Sequence, residues 1–283
     1  IIERVKLSKD DALISFSKEF DKTEFISSEE FKFNKKDFKK SYESLDHKTI
    51  NNLEFLRERI VKFHSEKTMN SWKAEDAAFN EYGQIVRPIK RVGLYAPGGT
   101  ATYPSSILMT AVLANIAGVE EILLSFPPSN KEVTDLMLAS CHIGGVTEAV
   151  SIGGAQAIAA MAFGTESIKK VDKIFGPGNK YVAEAKRQVY GIVGIDSITG
   201  PSEVMIIADE SANPEFIAAD LLAQAEHGMD SSCFLVLIKK GIKENINEAL
   251  QRQLSSLARS EIAKKSLNDF SFAIEVDNLK EAE

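Results

Sequence analysis

Cysteine, positive charge and long apolar runs are all scarce in this 283-residue sequence, and each scarcity removes a class of function. Two cysteines, Cys141 and Cys233, are too few for a disulfide framework and lack the paired spacing of a zinc knuckle, so they read as buried, reduced thiols. No apolar stretch approaches the roughly 18 residues that span a bilayer, so no membrane partner is expected. Lys and Arg total 34 against 41 Asp and Glu, a net charge of -7, which opposes general affinity for nucleic acid. Against that trend, Lys32, Lys35, Lys36, Lys39 and Lys40 cluster at helical spacing and read as a solvated helix face. The opening Ile1-Ile2-Glu3-Arg4 has neither an initiating Met nor a signal-peptide pattern, and the expectation is a cytoplasmic chain whose natural first residues are missing. Histidines His47, His64 and His142 share no ligand spacing, and no H-E-x-x-H or Ser/His/Asp set occurs, which excludes the common hydrolase chemistries.

What remains is ordinary globular composition, 44% hydrophobic and 27% charged, long enough for two domains of medium size. Residues 1 to about 80 are charged, poor in Gly and Pro, and apolar at every third or fourth position, which predicts helices. The clearest helix puts Leu53, Leu56, Ile60 and Phe63 on one face. From Ile85 the pattern changes to short β-branched runs at 91–95, 121–125, 148–152, 173–175 and 191–195, separated by segments long enough for crossover helices. A second series follows: a strand at 204–208, a helix at 214–227, a strand at 233–238, a helix at 244–257 and a strand at 270–276. The predicted fold is α/β, two Rossmann-like doubly wound parallel-sheet domains preceded by N-terminal helices. Its expected divisions are 1–94 (helices and the first part of one domain), 95–203 (a second domain) and 204–283 (the remainder of the first).

Three Gly-containing joints fall where such sheets place binding loops: Tyr95-Ala96-Pro97-Gly98-Gly99-Thr100, Gly153-Gly154-Ala155-Gln156 and Gly176-Pro177-Gly178-Asn179. Each follows a predicted strand, and a helix start offers unpaired N–H groups and a positive dipole end to phosphate. None is a standard fingerprint. Gly93 to Thr100 has P-loop glycine spacing, but Gly99 occupies the position of the phosphate-binding Lys. No G-x-G-x-x-G occurs, and the second strand ends in Ser125-Phe126 rather than in a ribose-gripping acid. On pattern alone, plain turn chemistry is the stronger reading and dinucleotide binding the weaker.

The helix predicted at 214–227 is capped by Asn213 or Ser211, starts on Pro214 and is expected to end on Gly228 in the left-handed conformation. Gln224 and His227 lie three apart, so both side chains leave one face near its end. An amide oxygen and an imidazole nitrogen suit zinc, yet two ligands are too few for a tight site. Without further donors, a dipole-stabilising or packing histidine is the stronger reading.

Five segments in order resemble the motifs of the L-histidinol dehydrogenase family. They are Val92-Gly93-Leu94-Tyr95-Ala96-Pro97-Gly98-Gly99, Gly153-Gly154-Ala155-Gln156-Ala157-Ile158-Ala159-Ala160, Phe175-Gly176-Pro177-Gly178-Asn179, Gly200-Pro201-Ser202-Glu203-Val204 and Gln224-Ala225-Glu226-His227-Gly228-Met229-Asp230-Ser231. The resemblance implies a homodimer with two incomplete Rossmann-like domains and exchanged C-terminal segments, oxidising L-histidinol through an aldehyde to L-histidine with two NAD, one water and zinc. It implies NAD contacts for Tyr95, Gln156 and Asn179, substrate contacts for Ser202, Gln224 and His227, and zinc ligation by Gln224 and His227. The sequence departs from the family at Asp196-Ser197-Ile198-Thr199, where a Pro-Ala pair is usual. The family's catalytic Glu-His pair and its other zinc ligands, an Asp and a His, fall beyond Glu283. The expectation is therefore that no catalytic residue lies within these 283 residues and that the chain alone is inactive. The rival reading from another class is a nucleotide-binding module or pseudoenzyme without catalysis.

Overall fold

The run from Arg91 to Tyr95 lacks the polar alternation of a half-exposed strand, and Val92, Leu94 and Tyr95 are all buried, as a central parallel strand covered on both faces requires. Residues 1–66, 68–98, 103–198, 200, 202–239 and 241–282 are described by a computed structural model. Two compact units divide the chain, Ile1–Ile198 and Thr199–Glu283.

In the first unit the elements are α1 (Ile2–Phe20), β1 (Lys32–Asn34), α2 (Lys35–Ser44), α3 (His47–Ser65), β2 (Trp72–Glu75), β3 (Glu81–Gln84) and β4 (Arg91–Tyr95). There follow α4 (Pro104–Ile116), β5 (Glu121–Ser125), α5 (Lys131–Gly144), β6 (Glu148–Val150), α6 (Gly154–Phe163), β7 (Lys173–Phe175), α7 (Lys180–Val189) and β8 (Gly194–Ile195). The six-stranded sheet has the order β1-β6-β5-β4-β7-β8; β1 runs antiparallel to β6 and every other pairing is parallel. Taking the parallel strands in chain order, this is the doubly wound arrangement in which the first strand lies at the centre and the direction of winding reverses beside it.

Strand alternation splits the core in two. Ile122 and Leu124 of β5 join Val92, Leu94, Ile107, Ala111, Met137 and Cys141 on the side of α4 and α5. Leu123 points the other way, into a cluster with Leu13 and Phe16 of α1, Ile158 and Met161 of α6, Ile174 and Val182. Each Val, Leu, Ile, Met or Phe side chain among these, fully removed from water, contributes roughly 1.5–3 kcal/mol.

The N-terminal 80 residues are not helical throughout. Phe31 ends a short 3-10 turn (Ser28–Phe31) and packs into one core cluster, while Phe33 of the three-residue β1 packs against the other, a stretch too short to register as a period. β2 and β3 pair as an antiparallel hairpin whose turn is organised by Asp76, accepting the N–H groups of Ala78 at 2.8 Å and Asn80 at 3.0 Å. Of the expected α3 face, Leu53 and Ile60 are buried while Phe63 is exposed. Lys35, Lys36, Lys39 and Lys40 lie exposed on α2, and Lys32 belongs to β1.

At the amino ends of the strands, Arg91 is buried and joins three of them. Its guanidinium meets Glu121 at 2.7 Å and also pairs with Glu148, while its backbone N–H donates to Asp172 at 3.0 Å.

The second unit contains β9 (Glu203–Ala208), α8 (Pro214–Ala225), β10 (Ser232–Ile238), α9 (Lys243–Ser256), α10 (Ser260–Asp269), β11 (Phe272–Val276) and α11 (Leu279–Ala282). Its three strands are parallel in the order β9-β10-β11. Cys233, Leu235 and Leu237 of β10 pack with Ile217, Leu221 and Leu222 of α8, Ile246 and Leu254 of α9 and Ala263 of α10.

Candidate cofactor and metal sites

In the first unit the reversal of winding falls between β4 and β7, and open parallel sheets bind ligands in the crevice beyond the carboxyl ends of such strands. Tyr95 ends β4. Its ring is buried with Val150, Ile152 and Ala155, and its hydroxyl accepts the Gly154 N–H at 3.0 Å, one of the donors left unpaired at the start of α6. Burial pushes the Tyr95 phenol above its ordinary range, the Gly154 N–H partly offsets this, and the Asp21 carboxylate adds to the rise, so the hydroxyl stays protonated. Gln156 is buried in the first turn of α6; a Cβ on Gly154 would stand 2.8 Å from its Oε1, so the bare glycine makes room for the amide. Asn179 caps α7, its side-chain oxygen accepting N–H groups of Tyr181 at 3.0 Å and Val182 at 3.1 Å. Tyr95, Gln156 and Asn179 thus stand on turns at the carboxyl ends of β4, β6 and β7. Gly99 and Thr100 of the first turn lie outside the described residues.

Sequence reasoning missed three residues at this end of the sheet. Lys186, on α7, is buried and donates to the Gly176 carbonyl and to Asp196 Oδ1, both at 2.6 Å. Asp196 Oδ2 accepts the Gly176 N–H at 2.9 Å. Burial works to raise the Asp196 carboxyl, but Lys186 and the N–H groups of Gly176 and Ser197 outweigh it and hold the group below the usual carboxylate range. The third is Asp21, whose Oδ2 is buried without a hydrogen-bond partner among the described residues and whose carboxyl is pushed up by burial. A lone Lys on an amphipathic helix and a lone Asp after a strand carry no motif; only the sheet topology brings them together.

In the second unit Asn213 caps α8 by accepting the Glu215 N–H at 3.0 Å, with Pro214 as the first helical residue. The helix stops at Ala225, two residues before His227. Gly228 does not end it in the left-handed conformation: Glu226 is the C-cap at φ -74, and Gly228 is absent from the positive-φ glycines. The turn closes instead through the His227 N–H to the Gln224 carbonyl at 3.1 Å, so no residue needs positive φ.

Gln224 is buried, and its Nε2 donates to the Ser202 carbonyl at 2.7 Å, which turns the amide oxygen away from that contact. His227 is exposed, with Nδ1 2.9 Å from the Ala223 carbonyl. A carbonyl only accepts, so Nδ1 is the nitrogen that carries a proton, and Nε2 is the ring atom left to face a metal. Ser202 is exposed just before β9 and joins Gln224 through its backbone. These donors fit a zinc ion in type, an amide oxygen and a neutral imidazole nitrogen, but number two. Among the described residues no group of three or more His, Cys, Asp and Glu side chains is arranged to hold a metal, and no helix is long and apolar enough to cross a membrane.

A family model described as histidinol dehydrogenase matches residues 1–283. The chain belongs to the histidinol dehydrogenase family. It is 46% identical over 282 residues to the histidinol dehydrogenase of Mesorhizobium japonicum, covering 100% of this chain and 65% of that protein. It is 45% identical over 285 residues to that of Caldanaerobacter subterraneus subsp. tengcongensis, with the same shares covered. The crystal structure of histidinol dehydrogenase from Elizabethkingia anophelis superposes with a TM-score of 0.89 at 36% identity, over 99% of this chain and 64% of that one. The chain thus spans 65% of the length of these curated relatives.

Proposed function

We propose that this chain serves a zinc- and NAD-dependent histidinol dehydrogenase, oxidising L-histidinol through the aldehyde to L-histidine as the last step of histidine biosynthesis, as a cytoplasmic homodimer. The observation that carries the reading is the hydrogen bonding of Gln224 and of His227. Ser202 takes the amide nitrogen and Ala223 takes the protonated ring nitrogen, which leaves on each side chain the atom a metal would bind. When bound, zinc would grip and orient an imidazole-bearing substrate, and NAD would accept the hydride.

This chain's own residues then bind and orient. Gln224 and His227 contribute two metal donors, with Ser202 beside Gln224 as a further substrate contact. Tyr95, Gln156 and Asn179 take the dinucleotide at the crevice beyond β4 and β7, where the protonated Tyr95 hydroxyl and the Asn179 side-chain NH2 keep hydrogens to donate. None of the matching motifs supplies a group to take the alcohol proton or activate water. The 283-residue polypeptide by itself is therefore expected to bind zinc weakly and to make no NADH from histidinol, zinc and NAD. Absorbance at the NADH band tests this; turnover at the rate of a normal dehydrogenase would refute the inactivity. Calorimetry on a polypeptide of the relatives' full length separates the enzyme from a bare nucleotide-binding module. The enzyme binds NAD, zinc and histidinol; the module binds NAD alone.

A further inference from the structure

We propose that the buried Lys186–Asp196 pair positions the Gly176-Pro177-Gly178-Asn179 turn for the dinucleotide. This rests on the cofactor reading above. Gly176 closes β7 at the reversal of winding, and its backbone lies so near β4 that a Cβ there would stand 2.1 Å from the Tyr95 carbonyl oxygen; its φ is +120. Nothing in the strand pairing of β7 beyond Phe175 holds that peptide. The ion pair holds it on both sides: Asp196 takes the Gly176 N–H, and Lys186 donates to the Gly176 carbonyl. Lys186 and Asp196 are joined to each other at 2.6 Å, and Asp196 Oδ1 also accepts the Ser197 N–H at 2.8 Å. One ammonium from α7 and one carboxylate from the end of β8 thereby fix the peptide planes before and after Gly176. Three residues later, Asn179 starts α7 and is one of the proposed NAD contacts.

An ion pair is not the obvious filling for this space. Lys186 is 4% exposed, and desolvating its charge works against folding, whereas a Met of similar length would pack at no such penalty. What Met lacks is a donor for the Gly176 carbonyl and a charge to match Asp196. Among the described residues both side chains bond only to backbone and to each other, so theirs is a positioning role and not a catalytic one.

The test titrates NAD by calorimetry into the whole chain and into K186M, D196N and the double variant. Folding is checked by circular dichroism, and amide exchange is followed at Gly176 and at Leu123 and Leu124 of β5. Each single variant is expected to weaken NAD by about 10-fold and to speed exchange at Gly176 but not in β5. The double variant should be no weaker than the worse single, because the two groups act as one unit. NAD affinity within twofold of the parent in folded K186M and D196N overturns the proposal. So does additive loss in the double variant. Should K186M fail to fold, K186R carries the test: it keeps the cation but spreads its donors over a rigid plane, and parent-like affinity together with faster Gly176 exchange would equally overturn it. If the parent chain binds no NAD, the cofactor reading itself falls; if the parent binds and the variants match it, the positioning role alone falls.

Discussion

Asp21 pays no visible structural return for its burial. It is the C-cap of α1, where the negative end of the helix dipole disfavours a carboxylate, and its Oδ2 has no hydrogen-bond partner among the described residues. Its carboxyl is raised by burial, so in the folded chain it holds its proton to higher pH than in the unfolded chain. Ionisation therefore opposes folding at pH above the folded value, and the opposition is relieved as pH falls through it. Asp21→Asn is expected to raise stability at pH 7 by on the order of 1 kcal/mol. That advantage should shrink as the pH drops through the carboxylate range. Urea midpoints for both proteins at pH 7 and pH 4 check this, and equal differences at both pH values would contradict it. Residues of this kind explain what the sequence concealed at this scale. Gln224, His227 and the cap Asn213 are marked by spacing and by Pro214, whereas Asp21, Lys186 and Asp196 acquire meaning only from neighbours distant in the chain.

Apolar runs between crossover-length segments were legible, down to the three-residue β7, whereas β1, the β2–β3 hairpin and the ten-residue α10 were not. β4 and β5 announced themselves through continuous apolar runs, and α8 through Asn213 and Pro214. β1 and the β2–β3 hairpin are three or four residues long and sit in a charged stretch whose spacing reads as helical, whereas β7 is marked by the glycine turn that follows it. Gly228 was misread because glycine after a helix commonly adopts positive φ, and here the turn through Glu226 closes without it. Gly228→Ala is accordingly expected to be neutral or to stabilise by up to about 1 kcal/mol, since the unfolded chain loses freedom and the new Cβ meets the ends of two side chains, the Asp230 carboxylate at 3.1 Å and the Ser231 hydroxyl at 3.5 Å. A left-handed glycine would give a loss instead, and a urea titration distinguishes the signs. Arg91 shows the opposite case, an element-joining residue with high stakes. Arg91→Ala leaves Glu121 and Glu148 facing each other at the starts of β5 and β6. The expected cost is about 2–3 kcal/mol, below that of a fully buried pair because both glutamates reach solvent. A midpoint unchanged from the parent would show that the cluster contributes nothing net.

For the molecule as a whole, the second unit presents an imbalance that follows from its winding. Crossovers from β9 to β10 to β11 proceed in one direction, and right-handed connections then put their helices on one face of the sheet. The side chains of alternate parity face the other way. Met205 and Ile207 of β9 and Phe272 and Ile274 of β11 are exposed, and the register aligns them in two rows through Phe234 and Val236 of β10. Parallel sheets are ordinarily covered on both faces, and a contiguous apolar surface of this sort binds hydrophobic dyes. The 283-residue chain is expected to enhance the fluorescence of anilinonaphthalene sulfonate while keeping a cooperative unfolding transition. The triple variant M205S/F272S/I274S should lower that enhancement without changing the circular dichroism. Part of the signal should persist, because the first unit has an apolar cavity of about 600 Å³ lined by Val92, Leu94, Leu113 and Phe175. Dye fluorescence equal in parent and variant would mean that this sheet face is not accessible in solution, and the one-sided winding would then be no guide to the chain's exposed surface.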